Sequence, residues 1–146
     1  MTADHAPHRI LTVCLGNYCR SPFAGLVLQV RGGDALEARS AGLIDKWVGG
    51  TAHPNMIKAA LQRGYDLTSH HPARVGRELI DWADLVLAMD RSVLNQLHDI
   101  AGQNNTAKLR LYLNDDRDVP DPMGKRAQDF ADCAAIIEAG AVPYLP

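Results

Sequence analysis

Residues 9–33 constrain the fold more than any other part of this chain. Residues 9–13, ending Ile10-Leu11-Thr12-Val13, form a short apolar and partly β-branched run that reads as a buried strand. Residues 14–20 follow as a turn. Ser21-Pro22 then opens a helix, because serine is a preferred N-cap and proline suits the first helical position. Phe23, Leu26, Val27 and Val30 recur at helical spacing on one face, and Gly32-Gly33 stops the helix. A strand passing through a tight turn into a helix is half of a βαβ unit, and its crossover makes the next strand parallel.

The rest of the chain repeats that alternation. Residues 37–41 read as a second strand, and the Gly-rich loop after it carries Trp47. His53-Pro54 starts a helix ending at Gly64, with Met56, Ile57, Ala60 and Leu61 as its apolar face. Residues 75–82 are weakly helical. A strand at 85–89 precedes a helix at 90–100, with Val93, Leu94 and Leu97 inward. Residues 108–113 form a fourth strand. Residues 114–125 are polar, contain Pro120, Pro122 and Gly124, and read as a loop. The last helix, 126–139, turns Phe130, Cys133, Ile136 and Ile137 inward, which makes Cys133 a core residue. The expected fold is α/β: a three-layer, four-stranded parallel sheet with helices on both faces. Ligands of such sheets sit beyond the carboxyl ends of the strands. The turn at 14–20 and the loop at 114–125 both lie there.

The 146 residues fit one domain, expected over 9–146 after a short flexible lead-in at 1–8. The net charge of −2 gives no electrostatic case for a nucleic acid or an anionic membrane as partner. There is no apolar run of membrane-spanning length and no apolar signal core. An odd cysteine count (Cys14, Cys19, Cys133) with no export signal predicts free thiols and a cytoplasmic location. The six histidines show no zinc-ligand spacing, so neither a metal nor a cofactor is expected.

The turn carries the chemistry. Its skeleton is Cys14, five residues, then Arg20, a weak signal alone and a strong one between a buried strand and a capped helix. Loop N–H groups at a helix N-terminus form a nest for an anion, and the helix dipole favours negative charge. Arg20 can grip two phosphate oxygens with its planar fork, which lysine cannot. The same positive field favours a Cys14 thiolate, the nucleophilic form of a thiol, and the Ser21 hydroxyl is placed to stabilise it. Gly16 and Asn17 are residue types that tolerate the positive φ a tight nest demands. The bland alternatives are a Cys14 that is only a small buried hydrophobe and a Ser21 that is only a cap.

At these residues the chain resembles the low-molecular-weight protein tyrosine phosphatases. The family's loop reads C-x-G-N-x-C-R-S, and residues 14–21 satisfy every fixed position. Further matches are Ser40-Ala41-Gly42, Trp47, His71-Pro72-Ala73-Arg74, the segment Ala83-Asp84-Leu85-Val86-Leu87-Ala88-Met89-Asp90, and Val119-Pro120-Asp121-Pro122. The resemblance implies a phosphatase I-like fold and a phosphocysteine mechanism without metal. It implies Cys14 as nucleophile, Arg20 as phosphate clamp and Asp121 as general acid. The phosphate loop would comprise Leu15, Gly16, Asn17, Tyr18, Cys19 and Ser21. Asn17, Ser21, Ser40 and His71 would form a supporting polar network, with His70 as the alternative to His71. Met123 stands where members usually have tyrosine, and Tyr18 stands where an aliphatic residue is common. Residues 121–126 look closer to bacterial members, which by analogy makes a phosphotyrosine-bearing protein such as a tyrosine autokinase the expected partner. The assembly expected is a monomer or a weak homodimer.

Phenol has a pKa near 10, so protonating the leaving oxygen helps expel it. Pro120 and Pro122 stiffen the backbone around Asp121. Asp115, Asp116 and Asp118 read as a solvated acidic loop. Tyr18, Trp47 and Met123 are the expected cleft walls, with Leu15 at the rim. Cys19 is expected either to trap an oxidised Cys14 as a disulfide or simply to pack. Three rivals remain: an arsenate reductase, which lacks a distant mobile resolving cysteine here; a phosphotyrosine-binding module, which would be expected to lack the nucleophile or the acid; and a small-molecule phosphatase.

Overall fold

The computed structural model describes residues 6–146. Residues 1–5 of the expected lead-in lie outside the described residues, and His8 already belongs to the first strand. The elements alternate as expected: β1 (His8–Cys14), α1 (Arg20–Gly32), β2 (Leu36–Gly42), α2 (Pro54–Gln62), α3 (Arg77–Trp82), β3 (Leu85–Ala88), α4 (Arg91–Ala101), β4 (Leu109–Leu111) and α5 (Ala127–Gly140).

The four strands are parallel in the order β2-β1-β3-β4. The period-2 alternation of strands sends neighbouring residues to opposite faces. Ile10, Leu85 and Leu87 point to one face and pack with α1, α2 and α5. Leu11, Val13, Val86 and Ala88 point to the other and pack with α3 and α4. A strand buried on both faces must be apolar along its whole length, which is why β1 and β3 read as continuous hydrophobic runs. Phe23, Met56, Phe130 and Ile137 are fully buried under the first face. Truncating one such aromatic to alanine costs about 3–5 kcal/mol.

Two helix faces differ from the sequence expectation. Leu61 is 68% exposed and Val30 is 60% exposed, whereas Ala59 and Leu28 are buried in their place. In each case the apolar stripe is rotated by a residue or two, because the neighbouring layer decides which side of the helix is covered. The fourth strand is also shorter than expected. Pairing with β3 spans only Leu109 to Leu111, and beyond it Tyr112 makes one further bond to the Ala88 carbonyl at 2.8 Å.

The strand order reverses direction at β1, since the chain moves outward to β2 and then returns to place β3 on the other side. A crevice opens at such a switch point, beyond the carboxyl ends of β1 and β3. Cys14 ends β1 and Asp90 follows β3, so the topology alone brings them together.

Candidate active site

The loop from Cys14 to Arg20 is held from outside by its carbonyls. Cys14 O accepts from Leu43 N (3.1 Å), Leu15 O from Ile44 N (3.0 Å) and Tyr18 O from His53 N (2.9 Å). Asn17 O lies 2.9 Å from His70 Nε2. With the carbonyls turned outward, the loop amides are left to face inward, the arrangement of an anion nest. Asn17 is left-handed at φ 54°, as its residue type allows. Gly16 is not. Its hydrogen is required for space instead: a Cβ there would lie 2.2 Å from the Trp47 ring. Gly42 answers to the same need, since a Cβ would lie 2.6 Å from Asn17 N.

A buried polar network underlies the loop. Asn17 Nδ2 donates to Ser21 Oγ (3.0 Å) and Ser40 Oγ (2.9 Å), and Asn17 Oδ1 accepts from Ala73 N (2.9 Å). Ser21 Oγ lies 3.0 Å from Cys14 Sγ. Thr12 Oγ1 donates to Ser21 O at 2.9 Å and fixes the start of α1. The histidine of this network is His70. His71, the residue favoured by its spacing from Ala73-Arg74, is exposed, and its Nδ1 lies 3.2 Å from Gly50 O. Only one of the adjacent pair faces the loop, since His71 is drawn instead to the Gly50 carbonyl. Burial, the larger influence, lowers the pKa of His70, although its bond to Asn17 opposes this. The neutral ring then donates through Nε2.

Arg20 has a side chain only 4% exposed. Its Nη1 donates to Asp90 Oδ2 at 2.8 Å and Val119 O at 2.9 Å, and its Nη2 lies 3.8 Å from Asp121 Oδ2. Burial alone would lower its pKa; Cys14, the Asp90 hydrogen bond and Asp121 outweigh that and hold it above the ordinary arginine value. Asp90 was not singled out for a role by the sequence. Its other oxygen accepts from Val93 N at 2.8 Å as the N-cap of α4, and an aspartate between a strand and a helix signals only that capping role.

Cys14, Leu15, Gly16, Tyr18, Cys19, Arg20, Trp47, Asp121 and Met123 line one cleft. Tyr18 stacks on Trp47 with centroids 4.5 Å apart and planes 8° from parallel, and His53 meets its edge at 5.1 Å. Leu15 lies at the rim, partly exposed. Asp121 is 47% exposed, and its Oδ1 accepts from Met123 N at 3.0 Å. Of its acidic neighbours, Asp118 accepts from the first amide of α4, Arg91 N, at 2.9 Å. Asp115 and Asp116 pair with Arg117 and Arg91 at the surface. Burial raises the Cys19 thiol, and it raises the Cys133 thiol to about 12. Both are therefore thiols at neutral pH, and Cys133 sits in the core of α5 as expected.

A strand-end nest carrying a cysteine, an arginine and a facing carboxylate defines an anion-handling α/β enzyme. The family model for low molecular weight phosphotyrosine protein phosphatases matches residues 9–145, and the chain belongs to that family. It is thereby a hydrolase of the protein tyrosine phosphatase class. The phosphatase Wzb of Escherichia coli K12 is 34% identical over 136 residues, covering 92% of this chain and 90% of that protein. The solved structure of Vibrio vulnificus Wzb in complex with benzylphosphonate is similar, with a TM-score of 0.88 and 27% identity over 94% of this chain and 96% of the other. That of Wzb from Escherichia coli K30 in complex with sulphate has a TM-score of 0.86 at 28% identity, over 93% and 94%.

Proposed function

We propose that the chain hydrolyses phosphotyrosine in two steps through a phosphocysteine on Cys14. The observation that carries this is the convergence of Cys14, Arg20 and Asp121 on one cleft walled by Tyr18 and Trp47. The phosphate dianion enters the nest, where the loop amides and Arg20 wrap its oxygens. Arg20 Nη1 is held by Asp90 and Val119, which leaves the other guanidinium donors for phosphate. Ser21 donates to the Cys14 sulfur and holds it as the attacking atom. The sulfur attacks phosphorus in line, a P–S bond forms and the P–O bond to the ring breaks. The Asp121 carboxyl gives its proton to the departing phenolic oxygen. In the second step the Asp121 carboxylate takes a proton from water. The water oxygen bonds to phosphorus, the P–S bond breaks, and inorganic phosphate leaves with the thiolate restored.

Asn17, Ser21, Ser40 and His70 hold the loop in its nest conformation. Tyr18, Trp47 and Met123 accommodate the ring. The likeness to Wzb proteins and residues 121–126 supports a phosphotyrosine-bearing protein, such as a bacterial tyrosine autokinase, as substrate. No described helix is long and apolar enough to cross a membrane. Three cysteines left as free thiols support a cytoplasmic location. Residues 9–146 act as one domain, as a monomer or weak homodimer.

Hydrolysis of p-nitrophenyl phosphate, with chelator present, tests the roles. Cys14→Ser abolishes turnover and Asp121→Asn lowers it. A wild type that prefers phosphoserine or sugar phosphates over phosphotyrosine peptides contradicts the substrate assignment.

A further inference from the structure

A groove separate from the catalytic cleft, about 1060 Å³ including its open mouth, runs along the outer edge of β2 between α1 and residues 66–73. Pro22, Leu26, Leu67 and Leu79 give it apolar walls. β2 is the end strand of the sheet, so its outer backbone groups have no strand beside them.

Most of that edge is closed by other means. Gln29 acts as a substitute strand: its Oε1 accepts from Ala38 N at 2.8 Å and its Nε2 donates to Leu36 O at 2.8 Å. At the far end Gly42 N donates to Ala73 O at 2.8 Å, and Val75 N donates to Gly42 O at 2.7 Å. Both closures engage even-numbered residues, so the even-numbered residues of β2 present their backbone groups outward. Between the closures lie Ala38 O, Ser40 N and Ser40 O, none of which has a protein partner among the described residues, and the first two are the pair within reach of a single residue. An acceptor followed two residues later by a donor is what one extended residue satisfies. Its N–H donates to Ala38 O and its C=O accepts from Ser40 N. A free amino acid would bring its charged ends where neutral amide groups are needed.

We propose that this groove is a second binding site, which takes a single apolar residue of an extended peptide as a one-residue addition to the edge of β2. The side chain is buried among the apolar walls. Ser40 and His70 also line the groove, and both hold Asn17 of the phosphate loop, so occupancy touches the loop's supports from behind. The site stands independently of the phosphocysteine mechanism.

N-Acetyl-L-leucinamide titrated into 15N-labelled protein tests it, beside the analogue methylated on the acetylated nitrogen, which lacks the donor. The expected result is saturable shifts at the Ser40 amide and at neighbouring groove residues, with binding weakened about fivefold to tenfold by the methyl group, the value of one hydrogen bond. Ser69→Trp fills the groove mouth from an exposed position and removes the shifts, and Leu26→Gln weakens them while the folded spectrum is kept. Equal binding of the methylated analogue overturns the proposal. So do shifts confined to Gly16 and Trp47, or a Ser69→Trp protein that binds as the wild type does.

Discussion

The two loops that form the catalytic cleft are held in different ways. The phosphate loop is buried and tied down along its length: four carbonyls bonded outward, Asn17 making three side-chain bonds, Ser21 locked to Cys14. The acid loop is held at its root around Val119, with Asp116 and Asp118 tied to Arg91 ahead of it. Val119 N donates to Met89 O at 2.8 Å, Val119 O accepts from Arg20, and Cys133 Sγ donates to Pro120 O at 3.5 Å. Beyond that root Asp121 stands half-exposed. The charge-gripping half of the site is preorganised, as electrostatic stabilisation requires. The proton-handling half meets both solvent and substrate, as an acid that must later activate water requires. Arg20 joins them, since one guanidinium bonds Asp90 and the acid loop and borders the phosphate nest.

Substitutions sharpen this contrast. On p-nitrophenyl phosphate Arg20→Lys should have the larger effect, lowering kcat by about 10²–10³-fold through loss of the fork that stabilises charge in the transition state. Asp121→Asn should act on the leaving group instead. Its loss should approach about 10²–10⁴-fold on phenyl phosphate and be visibly smaller on p-nitrophenyl phosphate, whose phenolate needs less help. Equal losses on both esters would break the assignment of proton donor. Asn17→Ala removes three hydrogen bonds within the rigid half, so unfolding in urea should show a loss of about 1–3 kcal/mol together with a fall in kcat. Gly16→Ala drives a methyl into Trp47. It should cost about 1–3 kcal/mol and raise KM through a displaced wall; an unchanged KM would show that Trp47 does not border bound substrate.

The smallest effect is on pH. His70 has a folded pKa below its ordinary 6.5, so the unfolded chain binds more protons in the interval between the two values. Its contribution to stability is full above pH 6.5 and is lost as pH falls through that interval. His70→Gln, which keeps a donor for Asn17 O, should flatten the decline in Tm between pH 7.5 and pH 5. His53, whose pKa burial also lowers, leaves a residual slope.

Much of this was legible in the residues. The alternation of apolar runs marked four strands and their helices, and the strand–turn–helix at residues 9–33 marked the nest. The Pro120-Asp121-Pro122 sequence marked the acid only with the help of the family resemblance. What was not legible depended on packing across sequence distance. The side of α2 that is covered is decided by α5, so Leu61 could not be told from Ala59. His70 and His71 are identical neighbours, and only the course of the folded chain decides which of them meets Asn17 and which meets Gly50. Asp90 shows a capping pattern, and nothing local reveals that Arg20 is 70 residues away in sequence and at its other oxygen. Gly16 looked like a position needing positive φ, whereas it is the approach of Trp47 that forbids a side chain there.

The most direct test of the central claim is to look for the covalent intermediate. Asp121→Asn protein mixed with p-nitrophenyl phosphate, acid-quenched within milliseconds and digested, should carry one phosphoryl group on the peptide containing Cys14. The leaving group departs readily, but water is not activated. The Cys14→Ser protein should carry no such label. A burst of nitrophenol with no phosphoryl group on Cys14, or a label on another residue, would contradict the account.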